Sequence, residues 1–206
     1  MVYSTTVQSK FAHKVGEPVP EFNTDHPVHP AIVHFPIAFN TLAWGLDILY
    51  ALTTIWVKPA FLTSRFGSAS TLVDITRLSY FLLCAGLITT VPAIMSGNKQ
   101  LIGMISKNGG PWEKDAQGKA KSTMVPRIKA GITHAIINDL VFVANLYSWY
   151  IRKDKEGALN PGKTPNQTNL IISMVLLPFL LMSAKIGGTL VFNHGVGLNL
   201  GRKKFE

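Results

Sequence analysis

The chain has 206 residues, of which 47% are apolar and 15% are charged, and its formal net charge is +9. The single cysteine, Cys84, excludes a disulfide framework and a thiolate metal site within one chain. Most charges lie between long apolar segments rather than in a cluster with interleaved aromatic residues, so we expect no nucleic-acid binding.

The first element is a polar N-terminal extension, residues 1–28. It lacks the short apolar core and the small-residue cleavage site of a secretory signal, and its acids and lack of arginine disfavour a transit peptide. We expect a four-helix membrane domain to follow over residues 29–200, with a basic C-terminal tail at 201–206.

Four apolar segments follow, each close to the ~20 residues that a helix needs to cross a bilayer core of ~30 Å. They predict membrane helices over residues 31–57, 75–96, 130–151 and 169–193. The fold class predicted from them is all-α: a polytopic, up-and-down bundle of four transmembrane helices with the N- and C-termini on the same face.

The connections set the orientation of this bundle. Side A is the face predicted to hold both termini and the 97–126 loop, and it carries more lysine and arginine than side B. By the positive-inside rule, side A faces the cytoplasm, or the matrix in an organelle. Gly97 and Asn98 predict the end of the second helix, and Asn108-Gly109-Gly110-Pro111 predicts a turn in a flexible basic loop.

Four histidines are expected near side A. His29 and His34 lie at the start of the first helix, His134 lies in the first two turns of the third, and His194 follows the fourth. At 1.5 Å of rise per residue, three helices present imidazole within roughly 10 Å of one depth. Imidazoles on facing helices of a bundle can hold a b-type haem, whereas single interfacial histidines usually bind headgroups, water or helix ends.

Asp47, Asp139 and Lys185 are charged residues that lie well inside the predicted helices, away from their ends. Asp139 is about 14 Å and Lys185 about 12 Å below side A, so we predict that they form a buried ion pair, with Asp47 as a second candidate partner. The pair would fix the helix register, relay protons, or hold a haem propionate through Lys185. Asn40, Asn138 and Asn145 would complete a polar seam.

Two motifs carry a resemblance to a known family. Residues 29–36 contain His-Pro-x-x-Val-His-Phe-Pro, and residues 187–197 contain Gly-Gly-x-Leu-Val-x-x-His-Gly-Val-Gly. With the lone His134 early in the third helix, they resemble the four-helix integral membrane family catalogued as domain of unknown function 2231. The resemblance spans Val28 to about Leu200 and implies the fold, the histidine cluster and a haem-binding or redox role. The glycines of the second motif favour close helix packing, or admit a flat ligand such as a porphyrin.

Three functional hypotheses follow. The first is a b-type haem protein with His34 and His134 as axial ligands of the iron and His29 and His194 as alternates, transferring electrons with a quinol or with a soluble redox partner at the basic face. The second is a haem-free protein that binds or transports an iron, zinc or copper ion through these histidines. The third is a non-catalytic accessory subunit that assembles with itself or with other membrane proteins.

The chain shows no nucleophile beside a base, no phosphate-binding glycine loop and no paired carboxylates in a soluble cleft. We therefore expect an electron-transfer or accessory membrane protein rather than a stand-alone enzyme. Its location is integral and multi-pass, in the lipid bilayer.

Overall fold

The computed structural model describes residues 28–153 and 163–196. In chain order the elements are α1 (Val28–Ile32), α2 (His34–Thr54), α3 (Ala60–Phe66), α4 (Ala69–Asn108), β1 (Trp112–Lys114), β2 (Ala120–Met124), α5 (Pro126–Lys153) and α6 (Gln167–Phe192). The sequence-predicted extension 1–28 and tail 201–206 lie outside the described residues, except Val28, and the face on which the termini lie stays a prediction.

Among the described residues, four helices are long and apolar enough to cross a membrane, which confirms the predicted fold class. The first combines α1 and α2 as Val28–Thr54, and the others are α4, α5 and α6. Contacts run from α2 to α4, α4 to α5, α5 to α6 and α6 back to α2, so the helices form a closed ring around one core. Ala43, Trp44 and Leu83 lie in that core with side chains from α5 and α6.

The distribution of side chains suits a lipid solvent. Large apolar residues point outward from the ring, among them Phe81 at 60% exposure and Ile88 at 71%. Small polar residues lie inside it, including Ser79, Ser173 and Ser183. A helix in lipid gains nothing by hiding leucine from hydrocarbon, so its interior is used for close packing and hydrogen bonds instead.

Helix α4 differs most from its prediction. It begins at Ala69 rather than at residue 75 and runs without interruption to Asn108, so Gly97 and Asn98 do not end it. A glycine costs a helix only about 1 kcal/mol relative to alanine, and the sequence alone does not show what packs against it. The actual end is Gly109, whose left-handed φ of 68° closes the helix at the predicted turn.

The predicted flexible loop 97–126 is therefore wrong in both of its parts. Its first part is the last three turns of α4, and its second part is an antiparallel hairpin in which Trp112 pairs with Met124 and Lys114 with Ala120. The carboxylate of Asp115 accepts hydrogen bonds from the backbone of Gln117 and Lys119 and so builds the hairpin turn. The short helix α3 was also not predicted.

Candidate functional site

A cavity of about 430 Å³ opens at one end of the bundle, within the size range of ligand pockets. We call this the histidine end, because His29, His34 and His134 line the cavity together with largely apolar side chains of α2, α4, α5 and α6. It is the end that the sequence assigns to side A.

His29 enters the cavity wall from α1. Its Nδ1 lies 3.0 Å from the carbonyl oxygen of Ala93 and 3.0 Å from Oγ of Ser96, both on α4. A carbonyl can only accept a hydrogen bond, so Nδ1 of His29 carries the proton. In a neutral ring the lone pair is then on Nε2, the atom that is free to bind a metal.

His134 repeats this arrangement on the opposite side. Its Nδ1 lies 3.0 Å from the carbonyl oxygen of Ser183 on α6 and again acts as a donor. Nδ2 of Asn138 donates one hydrogen bond to the carbonyl oxygen of His134 and one to Oγ of Ser183, both at 2.7 Å. Its contact with Nε2 of His134 is longer, at 3.3 Å, so it competes only weakly for that lone pair.

A glycine makes room for each of these rings. A Cβ at Gly97 would lie 2.8 Å from Cε1 of His29, and one at Gly187 would lie 3.1 Å from Cε1 of His134. Both distances are shorter than ordinary van der Waals contact. Gly187 belongs to the motif whose glycines were predicted to serve helix packing or a flat ligand. In the structure it makes room for the imidazole of His134.

The two rings are neighbours in the cavity wall. Their centroids are 6.4 Å apart and their planes are nearly perpendicular, at 84°. Two imidazoles that bind one metal ion from opposite sides, with metal–nitrogen bonds of about 2.0 Å, have their centroids roughly 6 Å apart. The observed spacing is compatible with such a pair.

The other two histidines are placed differently. His34 is exposed, lines the cavity and makes no hydrogen bond within the described residues. His194 is exposed and is not among the residues that line the cavity. The structure thus brings His134 beside His29, whereas the sequence paired it with His34 and kept His29 as an alternate. The reason is helix geometry. The backbone stays helical through Val33, so His29 and His34, five residues apart, lie about 140° apart around one helix axis, and His29 is the one that faces α4.

The floor of the cavity is a chain of polar side chains. The indole nitrogen of Trp44 donates to Oδ1 of Asn145 at 3.1 Å, and Nδ2 of Asn145 donates to Oδ1 of Asn40 at 2.9 Å. All three residues are buried. Asn40, Asn138 and Asn145 are the residues of the predicted polar seam, and each of them lines the cavity.

The ion pair predicted between Asp139 and Lys185 is not formed. Both residues are exposed, and the described residues contain no salt bridge between them. Asp139 lines the cavity and is exposed, so it is not a buried charge that requires a partner. Lys185 lies half a turn from the glycine that packs on His134, near the end of the membrane span, where a lysine can extend its ammonium group to the headgroups.

The buried ion pair is instead formed by Asp47 with Arg152. Nη1 of Arg152 lies 3.1 Å from Oδ1 of Asp47, and their side chains are 0% and 3% exposed. Arg152 also donates to the carbonyl of Thr76 at 2.9 Å, while Ser79 and Ser173 donate to the Asp47 carboxylate. The cluster joins all four helices at the end opposite the histidines, which we call the arginine end.

Sequence reasoning placed Arg152 in a side B connection and so missed it as a partner of Asp47. Side chains on a helix point toward its N-terminus, and the long arginine in the last turn of α5 therefore extends back into the bundle. The sequence did contain a clue. Asp47 lies inside the membrane with no basic residue at the same depth, which indicates that a long basic side chain from another depth must extend to it.

Among the described residues, no three His, Cys, Asp or Glu side chains form a group that could hold a metal ion. The haem-free site built from three or four histidines therefore lacks its ligand set in this geometry.

Comparisons with known proteins agree with the membrane fold. A family model described as "Predicted membrane protein (DUF2231)" matches residues 25–199. Searches of curated proteins and of solved structures find no match.

Proposed function

The chain belongs to the DUF2231 family of predicted membrane proteins, and within this fold we propose that the cavity at the histidine end binds a b-type haem through His29 and His134 for electron transfer. The observation that carries the proposal is the pair of imidazoles with centroids 6.4 Å apart, each tethered through Nδ1 to a backbone carbonyl. Such tethers fix the tautomer and the ring orientation of metal-binding histidines.

The residues present suit a b-type haem in their chemistry. Neutral Nε2 atoms from two facing helices are the ligands that bundles offer to haem iron, and the remaining lining is largely apolar. His34, which is exposed and lines the cavity, is the candidate partner of a propionate, whereas Lys185 does not line the cavity. A haem held by two histidines supplies reversible one-electron transfer and leaves no coordination position open for a small molecule.

The depth of the site limits the kind of electron transfer. In the described residues, His29, His34 and His134 line the cavity at one end, and the opposite end carries the Asp47–Arg152 ion pair. Electron transfer across the bilayer through two stacked haems would need histidine ligands near both membrane faces. We therefore propose electron exchange at one face, with a quinol in the bilayer or with a soluble partner.

Haem titration of haem-free protein in detergent micelles tests the ligand assignment. We expect His29→Ala and His134→Ala each to weaken haem binding by more than about tenfold, because each would remove one of the two residues proposed to hold the iron. His194→Ala is the matched control and should bind as the unaltered protein does, since its ring does not line the cavity.

His34→Ala separates the two candidate pairs. The structural pairing predicts that this variant keeps both axial ligands and a low-spin spectrum. Loss of the low-spin spectrum in His34→Ala, with binding retained in His29→Ala, would restore the pair favoured by the sequence. Unchanged binding in all four variants would mean that the histidines do not hold a haem.

A further inference from the structure

The histidine end carries a projection that the proposed function does not use. Between Arg77 and Lys99, residues 78–98 of α4 carry no charge and span about 31 Å, which matches the bilayer core. Helix α4 continues from Lys99 to Asn108, about 14 Å further. The headgroup layer on one face is only about 5–8 Å thick, so an α4 close to the membrane normal would place the hairpin that follows in the aqueous phase.

We call residues 97–129 the basic arm: the last turns of α4, the hairpin and the start of α5. The arm is rich in exposed cations, namely Lys99, Lys107, Lys114, Lys119, Lys121, Arg127 and Lys129. None of them forms an ion pair within the described residues, where the salt bridge of Asp47 with Arg152 is the only one.

The two acidic residues of the arm offset only part of this charge and leave it at a formal +5. Glu113 accepts a hydrogen bond from Thr123 at 2.8 Å, and Asp115 accepts the two backbone bonds of the hairpin turn. Both side chains are half-buried and hold the hairpin together. The surface offered to solvent is therefore strongly positive.

The hairpin is not part of the bundle core. Its strands pack mainly on each other, and Trp112 is 43% exposed at its base. Exposed tryptophan beside basic residues is the composition of protein-binding hot spots, where an aromatic anchor is flanked by charges that steer association.

The arm also lies next to the cavity. Gln100, Leu101 and Met104 of its α4 part and Gly131, just after its end on α5, line the cavity wall. A molecule bound to the arm is thus held beside the cavity mouth.

From these features we propose that the basic arm docks the acidic face of a water-soluble protein beside the cavity. The proposal deepens the proposed function, since that protein would be the electron-transfer partner, but the docking itself does not require a bound haem. The positive charge of the arm favours a partner with an acidic surface. Because α4 extends beyond the headgroups, a partner in water is favoured over the lipid of the same bilayer.

The test uses the full chain, without haem, in nanodiscs of neutral phosphatidylcholine, with fluorescently labelled polyglutamate as the acidic probe and polylysine as the opposite probe. We expect polyglutamate to bind, binding to fall as salt is raised, and polylysine not to bind. The variant Lys114→Gln/Lys119→Gln/Lys121→Gln should weaken polyglutamate binding by about tenfold, as three exposed charge contacts are removed.

The control variant Lys58→Gln/Arg65→Gln/Arg77→Gln removes three exposed cations near the arginine end and should bind polyglutamate as the unaltered chain does. Equal binding by the hairpin variant and the control would overturn the proposal. So would loss of polyglutamate binding in nanodiscs that contain phosphatidylserine, because the arm would then lie on anionic lipid. Haem-free protein is used throughout, so a failed haem titration leaves this result unaffected.

Discussion

At the scale of single residues, the site depends on which atom of each histidine holds the proton. Because Nδ1 of His29 and Nδ1 of His134 each face a carbonyl, both rings present a lone pair on Nε2. Among the described residues, the sequence identified each histidine that lines the cavity. It did not identify His29 as the partner of His134, because the face of the first helix that packs on α4 is set by tertiary contacts, which a single sequence does not show.

Gly97 provides the sharpest test at this scale. We expect Gly97→Ala to weaken haem binding by about tenfold, because the added Cβ would lie 2.8 Å from a ring that is tethered to Ala93 and Ser96. Haem affinity measured by titration checks this.

The control for this prediction is Gly103→Ala, in the same helix, where a Cβ meets nothing within 4 Å. Both variants gain the same helix propensity, roughly 1 kcal/mol, so a difference between them reports the histidine. Equal haem affinities would show that the position of the His29 ring does not matter for binding.

At the scale of elements, helix existence was predictable and helix extent was not. Hydropathy finds the membrane core of α4, but the turns beyond Lys99 are stabilised by contacts such as Gly131 with Leu101 and Met104, which a single sequence does not show. The buried ion pair was misassigned for a related reason. The position of a residue along a helix predicts the depth of its backbone in the membrane. It does not predict the depth of the charged group of a long side chain, such as that of Arg152, which extends by more than one helical turn.

The ion pair between Asp47 and Arg152 should hold the arginine end together. Asp47→Asn leaves a buried guanidinium without its counter-charge, so we expect the free energy of unfolding to fall by about 3–5 kcal/mol. The double variant Asp47→Leu/Arg152→Met removes both charges and should recover most of that loss. Unfolding of the protein in mixed detergent micelles measures both.

Lys185→Met serves as the control for these variants. It removes an exposed cation of α6 and should change the free energy of unfolding by less than about 0.5 kcal/mol. The double variant should be more stable than Asp47→Asn. If its free energy of unfolding were instead lower still, the effects of the two substitutions would add, and Asp47 and Arg152 would not act as a coupled pair.

At the scale of the whole molecule, the two ends of the bundle have different roles. The arginine end is a fully hydrogen-bonded ion pair with no cavity residue among its members, as expected of a clamp across four helices. The histidine end has the cavity, the paired imidazoles and the basic arm. Membrane helices pack through small and polar residues, and in this molecule such residues surround the ion pair at one end and border the described cavity at the other.

The central claim is that the cavity holds a haem between His29 and His134, and the most direct measurement is an absorption spectrum of protein purified in detergent from haem-replete cells, before and after dithionite. The account predicts a Soret band that sharpens on reduction together with low-spin bands at longer wavelength, as two histidine ligands require. A colourless preparation would contradict it, and metal analysis of the same sample would then decide between a bound ion and an accessory subunit.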